Sequence, residues 1–89
     1  MRAVNSLLLM AFGSLIHHRI AVDDARKSFP RVLVYDKYRL RYTIESNRDH
    51  TCFWLYAVYP KLGKRCVNAT DNIVEIAAQI NNHLDYQLR

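Results

Sequence analysis

Apolar positions follow two different periods along this chain. From Ala3 to Lys27 they recur at helical spacing, with no proline and with Leu, Met and Ala that favour helix. On a helical wheel they fall into two stripes. Leu8, Phe12, Ile16 and Ile20 make one, and Leu7, Ala11, Leu15, Val22 and Ala25 make the other. A helix over about 3–27 is expected, apolar nearly all round and in need of burial on both sides. Pro30 ends it and constrains Phe29.

From Arg31 the period changes to two. Val32, Val34, Tyr38, Leu40, Tyr42 and Ile44 share one parity, while Lys37, Arg39, Arg41, Thr43 and Glu45 share the other. This is the signature of a half-buried antiparallel strand. Asp36 falls on the apolar parity, which predicts a bend, bulge or short turn near Asp36 and Lys37. The polar run Ser46 to His50 reads as a hairpin loop. Thr51 to Tyr59 is apolar on both parities and reads as a central strand covered on both faces. Pro60 to Lys64 is a turn, with Gly63 as its positive-φ residue, and Arg65 to Ala69 is a short last strand.

The final segment is a helix over about 72–88. Asn72 and Glu75 have capping-box spacing, with Thr70 and Asp71 as alternative caps. Ile73, Ile76, Ala77, Ile80, Leu84 and Leu88 form one face; Glu75, Gln79, Asn82 and Asp85 form the other. The order is helix, three- or four-stranded antiparallel sheet over about 31–69, helix. Such an order makes a two-layer α+β sandwich. A chain of 89 residues, 51% apolar, with two cysteines, supports one domain with one modest core and excludes a disulfide scaffold.

Charge sharpens the picture. The net charge of +5 is concentrated between Ala25 and Arg65, where ten basic residues face only Asp36, Glu45 and Asp49. Lys37, Arg39 and Arg41 share a strand face by the alternation, and Lys61, Lys64 and Arg65 follow the next hairpin. With Arg48 they form the candidate contact set for an anionic partner. Trp54, Tyr56 and Tyr59 add stacking surface on the neighbouring strand. Arginine suits bidentate contact to phosphate or carboxylate. Nucleic acid is the first expected partner. The alternative is an inhibitor or adaptor module that docks on an acidic protein surface. A solvated strand face would show the same pattern, since basic strand residues also guard against edge-to-edge aggregation.

Double-stranded-RNA-binding domains share the coarse helix–sheet–helix order. Their lysine cluster at the start of the last helix is here Thr70-Asp71-Asn72, which repels phosphate. Enzymatic equipment is likewise missing from the sequence. Two glycines cannot build a phosphate loop, adjacent His17 and His18 cannot grip a metal as an i,i+4 pair does, and Cys52 and Cys66 lack zinc-site spacing. The expectation is a non-enzymatic binding protein without metal or cofactor, carrying Cys52 and Cys66 as buried thiols. The apolar stripe with Leu7, Ala11, Leu15 and Val22 predicts a homodimer through the first helix. The apolar run from Leu7 to Ile16 is too short to span a membrane and lacks a good signal-peptide cleavage site. A cytoplasmic location is expected, with secretion as the minor alternative.

Overall fold

The structure is a computed structural model, and it describes residues 9–23 and 31–87. A short helical segment, α1 (9–13), opens the described chain. Five strands follow: β1 (Arg19–Asp23), β2 (Arg31–Asp36), β3 (Arg39–Ser46), β4 (Phe53–Tyr59) and β5 (Gly63–Thr70). Helix α2 (Ile73–Gln87) closes it. The strands form one antiparallel sheet in the order β1-β2-β3-β4-β5, so the fold is α+β. No helix among the described residues is long and apolar enough to cross a membrane.

The N-terminal expectation needs correction. A helix over 3–27 is replaced, within 9–23, by α1, a turn and β1. Ile20 and Val22 sit opposite Val34 and Val32, and Arg19, Ala21 and Asp23 point the other way. Pairing with β2 satisfies the backbone and sets Ile20, half-buried, against the core, which outweighs a modest helix propensity. The proposed stripe is therefore dispersed: Ala11 lies in α1, Leu15 in the following turn and Val22 on β1. Leu7 lies outside the described residues, as do Arg26, Lys27 and Leu88.

Asn81 of α2 fixes this N-terminal segment. It is buried, its Oδ1 accepts the His17 N–H at 3.0 Å, and its Nδ2 donates to the Leu15 carbonyl at 2.7 Å. A non-helical turn leaves backbone groups that need partners, and one amide side chain supplies both.

One face of the sheet holds the core. Val32, Val34, Tyr42, Ile44, Phe53, Leu55 and Ala57 meet Ile76, Ala77, Ile80 and Leu84 of α2, with Phe12 and Ile16 from the N-terminal segment. Phe12 and Phe53 pack edge to face at 5.7 Å. Each fully buried Ile or Leu contributes about 1.5–3 kcal/mol. The apolar stripe of α2 is thus the one its sequence predicts. Asn72 is its cap, with Oδ1 accepting the Val74 N–H at 3.0 Å. The box with Glu75 does not close, because the Asn72 N–H donates to Thr70 Oγ1 at 3.1 Å instead.

The other face, away from α2, carries Leu33, Thr43, Trp54, Tyr56 and Val58. Strand β4 is therefore not covered alike on its two faces. Phe53, Leu55 and Ala57 are buried, whereas Trp54, Tyr56 and Val58 are half-buried by their neighbours. Cys52 and Cys66 are unbonded; Cys52 is half-buried, and Cys66, expected inside, is exposed on this far face of edge strand β5.

Candidate anion-binding site

Antiparallel pairing puts both tight turns at one end of the sheet. The β2–β3 turn holds Lys37 and Tyr38, and the β4–β5 turn holds Pro60, Lys61 and Leu62. Lys37 has φ 56°, which closes a two-residue turn where Asp36 breaks the alternation. Tyr38, on the apolar parity of the sequence, is consequently 95% exposed at the tip. The bend expected near Asp36 and Lys37 is this turn. The β3–β4 loop lies at the opposite end, tied by Asn47 Oδ1, which accepts the Thr51 and Cys52 N–H groups at 2.9 and 3.0 Å. Ser46 Oγ and His50 Nδ1 add a 2.8 Å contact there.

A bulge re-aims the arginines. Val34 pairs with Tyr42, but the next pairs are Tyr35 with Leu40 and Asp36 with Arg39, so Arg41 is the extra residue. Residues opposite each other share a face, and Asp36 lies on the parity of Val32 and Val34. Arg39 therefore emerges on the helix side of the sheet. Arg41 joins it there, with Nη1 3.5 Å from Asp36 Oδ2. Leu40, expected inside, moves to the far face beside Tyr35. The expectation that Lys37, Arg39 and Arg41 line one strand face is corrected: Lys37 is in the turn, and the two arginines have changed sides.

The second hairpin splits in the same way. Arg65 pairs with Ala57 on the helix side and is exposed. Lys64 pairs with Val58 on the far face. Its Nζ lies 4.7 Å from the centroid of the Tyr56 ring and 2.6 Å from Glu45 Oε2. That cation is neutralised by its own chain. Arg31 is likewise spent on Asp23, at 2.5 Å.

Six of the seven candidate cations thus gather at the hairpin end: Lys37, Arg39, Arg41, Lys61, Lys64 and Arg65. Arg48 does not, standing exposed in the loop at the far end. Sequence reasoning missed Arg19, which was assigned to a helix. It opens β1 at the hairpin end, with its guanidinium 4.4 Å from the centroid of the Tyr35 ring. Its signal was the short alternation of 19–23. Among the described residues Lys37, Arg39, Lys61 and Arg65 make no ion pair.

On the helix side the arginines border a recess of about 370 Å³, lined by Arg39, Arg41, Tyr42, Tyr59, Pro60 and His83 among others. Tyr42 forms its floor, buried and hydrogen-bonded through its hydroxyl to His83 Nδ1. Burial raises the pKa of Tyr42; Arg41 acts in the opposite sense, and Tyr59 adds to the rise. Tyr42 is therefore a neutral hydrogen-bonding group at physiological pH. Among the described residues no cluster of His, Cys, Asp and Glu is placed to hold a metal ion. His17 Nδ1 and His18 Nε2 lie 3.7 and 3.2 Å from the Asp85 carboxylate, a contact that ties the N-terminal turn to α2.

No protein-family model, no curated protein and no solved structure matches the chain.

Proposed function

We propose that this chain is a non-enzymatic cytoplasmic protein that binds nucleic acid through the cationic hairpin end of its sheet. The observation that carries this reading is the gathering of Lys37, Arg39, Lys61 and Arg65 at one end of the fold without counter-ions among the described residues. Unpaired cations at a protein surface are the groups that release counter-ions from a phosphate backbone. Arg39 and Arg65 suit phosphate oxygens, which they can contact through two N–H groups at once. Assigned to phosphates, these contacts position the partner without reading it, so binding is expected to follow charge and shape rather than sequence. The contacts lie beside the turns and on the helix side, not across the broad far face.

The far face favours a second partner. Leu33, Trp54, Tyr56 and Val58 are half-buried there, and its charges are largely self-paired. Such a surface suits docking on another protein, as an adaptor or inhibitor would, or on a second copy of the chain.

A salt titration separates the two readings. Nucleic-acid binding predicts that affinity for random single-stranded or duplex DNA and RNA falls linearly in log–log form with salt. Replacing Lys37, Arg39, Lys61 and Arg65 together with Ala should lower that slope by about 0.7–0.9 per lost phosphate contact. Arg48→Ala should leave it unchanged. No binding at low salt would overturn the nucleic-acid reading and leave the docking one.

A further inference from the structure

The recess at the hairpin end differs in kind from the cations around it. A polymer backbone can be held by exposed side chains alone, whereas this recess is walled on several sides. Arg39, Leu40, Arg41 and Tyr42 of β3 form one wall, and Ala57, Val58, Tyr59 and Pro60 another. His83 of α2 bounds it on the helix side. Its volume, about 370 Å³, lies at the lower end of small-molecule sites. That is room for one compact ligand.

The lining combines three chemistries. Ala57 and Pro60 are apolar, and Tyr59 is an exposed aromatic ring that a flat ligand can stack on. Tyr42 and His83 present a hydrogen-bonded pair at the floor. Arg39 stands on the wall without an ion pair among the described residues, and Arg65 is next to Ala57 in the same cross-strand row. A flat heteroaromatic group joined to a doubly charged anion fits all three.

We infer that this recess takes one phosphorylated nucleotide, with its base against Tyr59 and Pro60 and its phosphate on Arg39. The nucleotide is either free or at the end of a nucleic-acid strand. The inference rests on the nucleic-acid reading in assigning these arginines to phosphate, and adds to it a preference for ends. A terminal phosphomonoester carries more charge than an internal diester, and a terminal nucleotide enters a recess with only one neighbour to accommodate.

The test uses the full chain and fluorescence anisotropy. A labelled single strand with a 5′-phosphate is compared with the same strand bearing a 5′-hydroxyl or a 3′-phosphate, and with a covalently closed circle of the same sequence. Unlabelled AMP, UMP, adenosine and inorganic phosphate serve as competitors, and direct calorimetry with AMP and UMP covers the case in which no strand binds. One terminal phosphate should bind about tenfold tighter than the circle, the effect of a single charge-assisted contact. A mononucleotide should compete better than its nucleoside or inorganic phosphate alone. Tyr59→Ala and Arg39→Gln, both at exposed positions and checked for an unchanged melting temperature, should reduce the end preference to below about twofold.

If linear and circular strands bind equally and no mononucleotide competes, the inference is overturned while the nucleic-acid reading stands. If mononucleotides bind but no strand does, the recess is a free-nucleotide site and the polymer reading falls. If neither binds, both fail.

Discussion

The two ends of the sheet differ more than its two faces. At the hairpin end, Arg19, Lys37, Arg39, Arg41, Lys61, Lys64 and Arg65 outnumber the carboxylates of Asp36 and Asp85, and Lys64 reaches Glu45 as well. At the loop end, the described residues include Asp23, Glu45, Asp49, Asp71 and Glu75, against only Arg31 and Arg48. An antiparallel meander creates this polarity from a sequence in which the basic residues are spread over three strands. Every second connection lands at the same end, so residues near Lys37 and Lys61 become neighbours. Charge was concentrated along the chain, but only the topology turns that into a gradient along the strands. Under the proposed function this gradient would orient a polyanion, drawing it to one end of the molecule and away from the start of α2 at the other.

Replacing Lys37, Arg39, Lys61 and Arg65 together with Ala should weaken binding to a random single strand by more than about a hundredfold at low salt, with a flattened salt slope. Circular dichroism should stay unchanged, because these side chains are exposed. The polarity also depends on a scaffold that keeps both hairpins in register. Leu84→Ala removes a fully buried contact between α2 and the sheet and should cost about 2–5 kcal/mol in urea unfolding.

Smaller effects sharpen the account. Asn81→Ala leaves the Leu15 carbonyl and His17 N–H without their partner and should cost about 1–3 kcal/mol. Hydrogen exchange should accelerate at His17 before it does in β3. Thr43 is 3% exposed and its hydroxyl has no hydrogen-bond partner among the described residues. Thr43→Val should be neutral or stabilise by up to about 1 kcal/mol, since it removes an unpaid desolvation and keeps the shape.

The high-pH limit follows from Tyr42. Its folded pKa is raised above the usual 10.0 by burial, so the folded state holds the proton more tightly than the unfolded chain. The associated stability is present below pH 10 and is lost as pH rises through the folded value. Tyr42→Phe should weaken that alkaline decline while breaking the contact to His83.

Much of the fold was legible, and the failures have specific causes. α2 carries its own cap and stripe, so local signals suffice. The turn at Lys37 was visible because Asp36 disturbs a clean alternation, and polar residues, Pro60 and Gly63 mark the connections, although the loops are 47–52 and 60–62 and β5 starts at Gly63, before the expected Arg65. β1 was hidden because its alternation covers only five residues and merges into an apolar run with helical spacing. Its partner β2 lies beyond a proline, and only pairing decides between the two periods. The composition of the site was legible too, with Arg19 the one cation missed. Its geometry was not, because a single extra residue at Arg41 moves two arginines to the other face, and no residue type in that stretch marks a bulge.

The most direct test of the account is a salt titration of binding to a random single strand, comparing the natural chain, the Lys37/Arg39/Lys61/Arg65→Ala variant and Arg48→Ala. The account predicts a steep slope for the natural chain and for Arg48→Ala, and a slope flattened by about three for the fourfold variant, at about 0.7 per lost contact. Equal slopes for all three proteins, or no binding by the natural chain at low salt, would contradict it.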